Sequence, residues 1–366
     1  MKLLINNEKL RKSISENAYY ACIKRYNSIS SKHIGFLLPS LKVSGGIYVI
    51  MKHSSILKDE KWDVDLIVPN SNIELLEFQK HKFNVICLAN QTLNFQYDIL
   101  VATFYNTLYT NINYYKTKNH LYLVQNYETD FYKYGDYFRI IAEQTYSLPF
   151  NIKYITISKW CKDWLMQNYN KKSHYAPNGI DFNEYKPHKR NLNKNKIRIL
   201  IEGDSSSHYK NVDKSFKIIE KLDQKKFEVW YLSYEGQPKD WYKIDKFFHV
   251  IPHDKVKEIY DNSDILIKSS WLESFSYPPL EMMATGGYCI VVPNNGNQEY
   301  LKDNENCLFY KLGDINSAVT SIYRLINDLE LQKKLYINGV ITAKKRDWNF
   351  LKDQIISLYD EYTIKK

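Results

Sequence analysis

From residue 33 onward, short apolar runs of strand length alternate with segments whose apolar positions recur at helical spacing. In the first half the runs are HIGFLLP (33–39), DVDLIVP (63–69), FNVICLA (83–89), DILVATF (98–104), HLYLVQN (120–126) and YITIS (154–158). The periodicity between them predicts helices near 46–58, 72–80, 105–115, 136–146 and 159–169. Strands alternating with helices are the mark of βα units and a parallel sheet, and near-continuous Val/Ile/Leu runs expect cover on both faces.

The pattern breaks at PNGIDFNEYKPHKRNLNKNK, rich in Pro, Gly, Asn and Lys, and restarts with IRILIEG (197–203). Further runs follow at 227–233, 248–252, 264–270, 288–294 and 307–312, with helical spacing near 211–223, 254–261, 278–285, 314–327 and 330–345. The expected architecture is α/β: two Rossmann-like, doubly wound parallel sheets facing a central cleft, the site where open α/β folds bind ligands. The expected boundaries are 1–180 for the first domain, which includes an extra helix over 6–27, and 181–345 for the second. Residues 346–366, containing the amphipathic WNFLKDQIISLYDEY, form a C-terminal helix that packs back toward the first domain.

Length agrees with two domains, since 366 residues exceed what one compact core usually holds. With 44% hydrophobic and 25% charged residues, the composition is that of a globular protein, and no stretch is apolar enough to cross a bilayer. The start MKLLINNEKLRKSISENAYY turns polar and charged too soon for a signal peptide, so a cytoplasmic location is expected. Cys22, Cys87, Cys161, Cys289 and Cys307 are scattered without metal-ligand spacing and read as inert thiols. The net charge of +10 favours anionic partners such as nucleotide phosphates or an anionic membrane face. Nucleic acid is disfavoured because the lysines are dispersed and no nucleic-acid-binding motif is present. The 32 tyrosines fit a coding bias better than a sugar-stacking surface.

Chemistry concentrates in ESFSYPPLEMMATGG (273–287), which follows a strand and opens a helix through Pro278 and Pro279. Glu273 lies in the loop and Glu281 in the helix, so both carboxylates can face the cleft. One carboxylate accepts two hydroxyl hydrogen bonds, which suits a sugar diol. The backbone N–H groups of Ser274, Phe275 and Ser276, beside a helix N-terminus, suit a phosphate or a hydroxyl.

The Glu-x7-Glu spacing with its PPLE core resembles the donor-site signature of retaining family-four glycosyltransferases of GT-B fold. NGNQEYLKDNENCLF (295–309), PNGID (177–181) and Gly45-Gly46 in LPSLKVSGGIYVI resemble further elements of that family, in family order over about 33–345. LVQNYETDFY (123–132) resembles a bacterial surface-polysaccharide subgroup that includes rhamnosyltransferases. The resemblance implies transfer of a hexose or deoxyhexose from a nucleotide-diphosphate sugar to a glycan acceptor in polysaccharide or glycoconjugate synthesis. It implies retention of configuration without a metal or other cofactor, the departing phosphate taking the acceptor proton. Glu281 would hold the ribose hydroxyls and Glu273 the donor sugar. Gly45 and Gly46 would let backbone approach the phosphate or acceptor.

Here the chain departs from the family. GDSSSHYKN places Gly203 after the strand, but Asp204 stands where Arg is usual and Lys210 arrives about one residue late. Lys210, beside Asn211, is the expected cation for the diphosphate leaving group, with His208 as an auxiliary. No family histidine follows HLYLV; Gln125, Asn126 and Glu128 stand there, either as sugar or acceptor contacts or as loop caps. The pair Asp63 and Asp65 sits at a strand start, not at its C-terminal edge, so no metal site is assigned. Basic charge and location suggest a lipid-linked acceptor at the inner face of the membrane. Asp204 and the missing histidine leave a non-catalytic nucleotide-sugar-binding subunit or a GT-B-type nucleotide-sugar epimerase as alternatives.

Overall fold

The computed structural model describes residues 32–41, 44–70, 83–89, 93, 95–114 and 116–363. The helices expected over 6–27 and 72–80 lie outside the described residues. Strands β1 (His33–Leu37), β2 (Asp63–Val68), β3 (Asn84–Cys87), β4 (Tyr97–Ala102), β5 (Thr117–Val124), β6 (Ile152–Thr156) and β7 (Ser173–Tyr175) form one sheet. Its order is β3-β2-β1-β4-β5-β6-β7, every pairing parallel. A second parallel sheet contains β8 (Ile197–Glu202), β9 (Phe227–Ser233), β10 (Lys246–His249), β11 (Ile265–Lys268), β12 (Tyr288–Val291) and β13 (Leu308–Phe309) in the order β10-β9-β8-β11-β12-β13. Each order reverses direction once, between β1 and β4 and between β8 and β11. Such switch points open a crevice at the C-terminal strand edges.

The helices between strands are α1 (Gly45–Asp59), α2 (Tyr105–Ile112), α3 (Tyr137–Gln144), α4 (Lys159–Tyr169), α5 (Val212–Glu220), α6 (His253–Asp261) and α7 (Tyr277–Ala284). After the last strand come α8 (Ile315–Asn327), α9 (Leu329–Lys345) and α10 (Trp348–Asp360). None among the described residues is long and apolar enough to cross a membrane. Ser44 caps α1 by accepting from the Ile47 amide, and Asp314, Asp328 and Asp347 cap the last three helices.

Three local features differ from the sequence reading. β7 was not anticipated, because Ser-His-Tyr is short and too polar to register as a strand. β10 lies two residues earlier than FHVIP suggests, since Val250 turns to φ +50 and Pro252 has no amide to extend a ladder. The Asp63–Asp65 pair gathers with His33, their ligand atoms within 4.8 Å of one another. Asp65 is fully buried and accepts from Asn84 Nδ2 at 2.7 Å and Tyr97 OH at 2.9 Å, with His33 Nε2 at 3.0 Å. The cluster thus cross-links four neighbouring strands, β3, β2, β1 and β4, at the sheet edge away from the crevice.

The chain passes between the halves twice, side by side. The Ile180 amide donates to Arg346 O at 2.8 Å and the Trp348 amide to Ile180 O at 3.0 Å. From there α10 lies on α1, where Tyr359 OH meets His53 Nδ1 at 3.0 Å and Trp348 Nε1 donates to Tyr48 OH at 3.2 Å. Gly179 sits under this junction; a Cβ there would come within 2.6 Å of Arg346 O. Because backbone on both sides fixes that contact, Gly179→Ala is expected to destabilise the fold by about 1–3 kcal/mol, read as a lower melting temperature by circular dichroism. An unchanged melting temperature would show that the crossing tolerates the added carbon.

Candidate active site

The loop between β11 and α7 is held from three sides. Gly296 packs so closely on the Glu273–Ser274 peptide that a Cβ would fall 2.2 Å from Glu273 O. Trp160 Nε1, on α4 of the first domain, donates to Ser274 O at 3.1 Å. Tyr300 OH donates to Ser276 O, and the Phe275 ring is buried against Tyr277 and Tyr300 with the Arg346 guanidinium over its face. Ser276, the residue before α7, takes φ +67, a left-handed conformation costly for a side chain. Its hydroxyl and that of Tyr277 are buried and have no protein partner. Strain and unmet polar atoms at one turn are the usual signs of a binding site.

Glu273 leaves this loop 9% exposed and meets two lysines. Lys210 Nζ lies 2.9 Å and 3.0 Å from its two carboxylate oxygens, and Lys268 Nζ lies 3.2 Å from one of them. Lys268, 3% exposed at the end of β11, also reaches Glu202 at 2.5 Å, at the end of neighbouring β8. Burial would raise the Glu273 carboxyl, but Lys210 and Lys268 outweigh it and hold it at about 2. Lys210 responds in kind: burial lowers it, yet Glu273 and Glu202 carry it above its ordinary value. Glu281, in α7, is 8% exposed and takes a weak contact from Tyr185 OH at 3.4 Å. Burial first, and then the charge of Glu202, push Glu281 up to about 7. No ion pair to Glu281 occurs among the described residues, and the charge of Lys268 lowers it less than burial and Glu202 raise it, so the two acids are electrostatically unlike.

The glycines and Asn211 shape the approach. Gly203 has φ +143, outside the range of ordinary residues, and Lys210 Cβ would lie 3.5 Å from a Cβ placed there. Asn211, at φ +51, ties the start of α5 to Ser269 O. Asp204 does not face the lysine as a stand-in for arginine. Its carboxylate accepts from the Ser206 amide at 2.8 Å and from the hydroxyls of Ser206 and Ser207 at 2.7–2.8 Å and 2.6 Å, stapling the serine loop. The His208 ring packs on Trp271, whose Nε1 donates to His208 O at 3.3 Å.

Across the cleft, the α1 N-terminus carries Gly45 and Gly46. A Cβ on Gly45 would lie 3.7 Å from the Tyr277 ring, and one on Gly46 would lie 3.2 Å from the Gln125 amide. The glycine pair therefore sits between the first-domain loop after β5 and the second-domain helix α7. Gln125 Oε1 is buried without a protein partner. Asn126 and Glu128, in contrast, act as local caps. Asn126 Oδ1 accepts from the Tyr127 amide, while Glu128 Oε2 accepts from the Tyr105 amide at 2.6 Å and Tyr122 OH at 3.0 Å. Glu128 is 1% exposed and raised to about 8 by burial, so it is an interior acid at the start of α2. Of the two readings open for these residues, loop capping accounts for the contacts of Asn126 and Glu128.

Sequence reasoning missed Lys268, Glu202, Trp160, Tyr185 and Gly296. The first two did leave a signal: IRILIE and ILIK each end an apolar strand with a charge, of opposite sign.

Comparison with known proteins bears on the family likeness and on the fold. Residues 183–342 match the family described as Glycosyl transferases group 1. A stretch of 107 residues is 28% identical to "Putative glycosyltransferase EpsD" of Bacillus subtilis (strain 168), covering 29% of this chain and 28% of that protein. Among solved structures, sucrose-phosphate synthase from Thermosynechococcus elongatus superposes with a TM-score of 0.75 at 14% identity, over 90% of this chain and 98% of that one. Anabaena HepE in complex with UDP-glucose superposes with a TM-score of 0.74 at 15% identity, over 90% and 99%. At these identities the structural likeness establishes the two-domain GT-B fold. On that scaffold, residues 183–342 are similar to the group 1 glycosyl transferases.

Proposed function

We propose that this protein transfers a sugar from a nucleotide-diphosphate donor to a glycan acceptor, with retention of configuration and without a metal ion. The observation that carries the reading is the convergence of Lys210 and Glu273 at the crevice, with Glu281 in the helix that follows. Glu281 would accept the ribose hydroxyls, Glu273 would accept hydroxyls of the donor sugar, and Lys210 would face the diphosphate. A cation there offsets the charge that develops on the leaving group, the task a divalent metal performs elsewhere. No side chain is assigned as general base; the departing phosphate oxygen takes the acceptor proton on the face it has just left. The bound UDP-glucose of HepE supports a nucleotide-sugar donor for this fold.

The acceptor is proposed to be a surface polysaccharide or glycoconjugate precursor at the cytoplasmic face of the membrane. Support comes from the net charge of +10 and from the exposed stretch bearing Tyr134, Tyr137, Phe138 and Ile140, which would rest on an anionic lipid surface.

Glu281→Ala is expected to weaken nucleotide-sugar binding by the equivalent of about 1.5–3 kcal/mol, and Glu273→Ala to lower turnover more than affinity. Calorimetry and steady-state kinetics measure both; wild-type values in the two variants would sink the assignment. A second expectation concerns pH. A carboxylate accepts two hydroxyl bonds whereas the protonated acid gives up part of that capacity, so donor affinity should fall as pH drops through about 7, where Glu281 gains its proton. In Glu281→Gln the slope should flatten, and a slope that persists would assign the titration to another group. Full activity in EDTA, with product of unchanged anomeric configuration by NMR, is also expected. A strict requirement for Mg²⁺ or Mn²⁺, or an inverted product, would overturn the mechanism.

A further inference from the structure

The four charges at the crevice form a chain of alternating sign: Glu202, Lys268, Glu273, Lys210. Its links are 2.5 Å, 3.2 Å and 2.9 Å. Lys210 is committed at both carboxylate oxygens of Glu273, yet the proposed function also requires Lys210 at the donor diphosphate. If Lys210 were the only cation near Glu273, turning to phosphate would strand a carboxylate that is 9% exposed, and an unpaired buried charge is costly.

Lys268 removes that difficulty. It is the more deeply buried of the two lysines, with its side chain 3% exposed against 24% for Lys210, so it is the fixed member and Lys210 the one with access to the crevice. Its position follows from the sheet: the parallel register that pairs Ile267 with Ile201 brings the next residues, Lys268 and Glu202, side by side. Glu202 supplies the second negative charge that lets a lysine sit there in the ligand-free protein.

We infer that the Glu202–Lys268 pair is a counter-charge reserve that lets Lys210 exchange Glu273 for the donor diphosphate, with Lys268 then holding Glu273 in place. Lys268 is in this sense a positioning residue: it acts on the donor through Glu273 and Lys210. The inference rests on the nucleotide-sugar reading of the site and adds to it a pair of residues on β8 and β11.

The test is calorimetric titration of the full chain with UDP, GDP and dTDP in EDTA. In Glu202→Gln/Lys268→Met, which removes both partners of the pair and leaves no orphaned charge of its own, affinity for the nucleotide that binds should fall about tenfold or more, because Glu273 retains Lys210. Adding Glu273→Gln to that variant should restore most of the affinity, since the competitor for Lys210 is then neutral. A merely structural role for the pair would not be rescued by a third substitution. Should the double variant fail to melt cooperatively, Lys268→Gln with and without Glu273→Gln makes the same comparison. Wild-type affinity in the variants lacking Lys268, or no rescue by Glu273→Gln, would overturn this inference and leave the proposed function standing. Absence of binding of any of the three nucleotides to the unaltered protein would remove the proposed function and this inference together.

Discussion

An ionised carboxylate out of water must be balanced, and the second domain is arranged around that requirement. Glu273 remains charged at low exposure because two lysines, one from the loop after β8 and one from β11, converge on it. Those lysines come together only because β8 and β11 are neighbours at the point where strand order reverses. The switch point is therefore both an opening in the fold and the place where charges distant in sequence can be matched. Eight residues on, Glu281 lies in the same region without direct cationic partners and sits near neutrality in its proton affinity. One loop and one helical turn thus present two acids with opposite tendencies, a division of labour created by surroundings.

Holding that loop in a left-handed turn at Ser276 carries a conformational cost, and the restraints around it show how the cost is met. Gly296 closes on the Glu273–Ser274 peptide from one side, and Trp160 reaches the same segment from the other domain. The Phe275 ring is anchored among Tyr277, Tyr300 and Arg346. None of these groups needs to touch a ligand to matter; they fix backbone that would otherwise relax. The Asp204 staple on the serine loop works in the same way, which explains an acid where the family resemblance led us to expect a base.

Much of this was legible in the chain itself. Strand-length Val/Ile/Leu runs alternating with helical spacing indicated parallel sheets, and the Pro- and Gly-rich linker marked where one series ends and the next begins. Glu273 and Glu281 stood out from the loop and helix that follow an apolar strand, and Lys210 from the family resemblance. The Glu202–Lys268 pair was less visible, although each residue ends its strand with a charge, because linking them requires knowing that the first and fourth strands of the second sheet are adjacent. Strand order is a tertiary property that periodicity does not encode. Glu128 was ambiguous for a different reason: a carboxyl after a strand can face a cleft or cap the next helix, and only the buried amide of Tyr105 decides between them. Ser173–Tyr175 escaped notice because three residues carry too little pattern.

The side-by-side passages at Ile180 and Arg346 have a mechanical consequence. Two covalent connections bonded to each other at one place behave as a single pivot, so the halves can swing apart about it while sliding past each other is resisted. Trp160, which reaches Ser274 O from the other half, and Gly45, which faces the Tyr277 ring, mark contacts that such a rotation would open, with the linker as its axle.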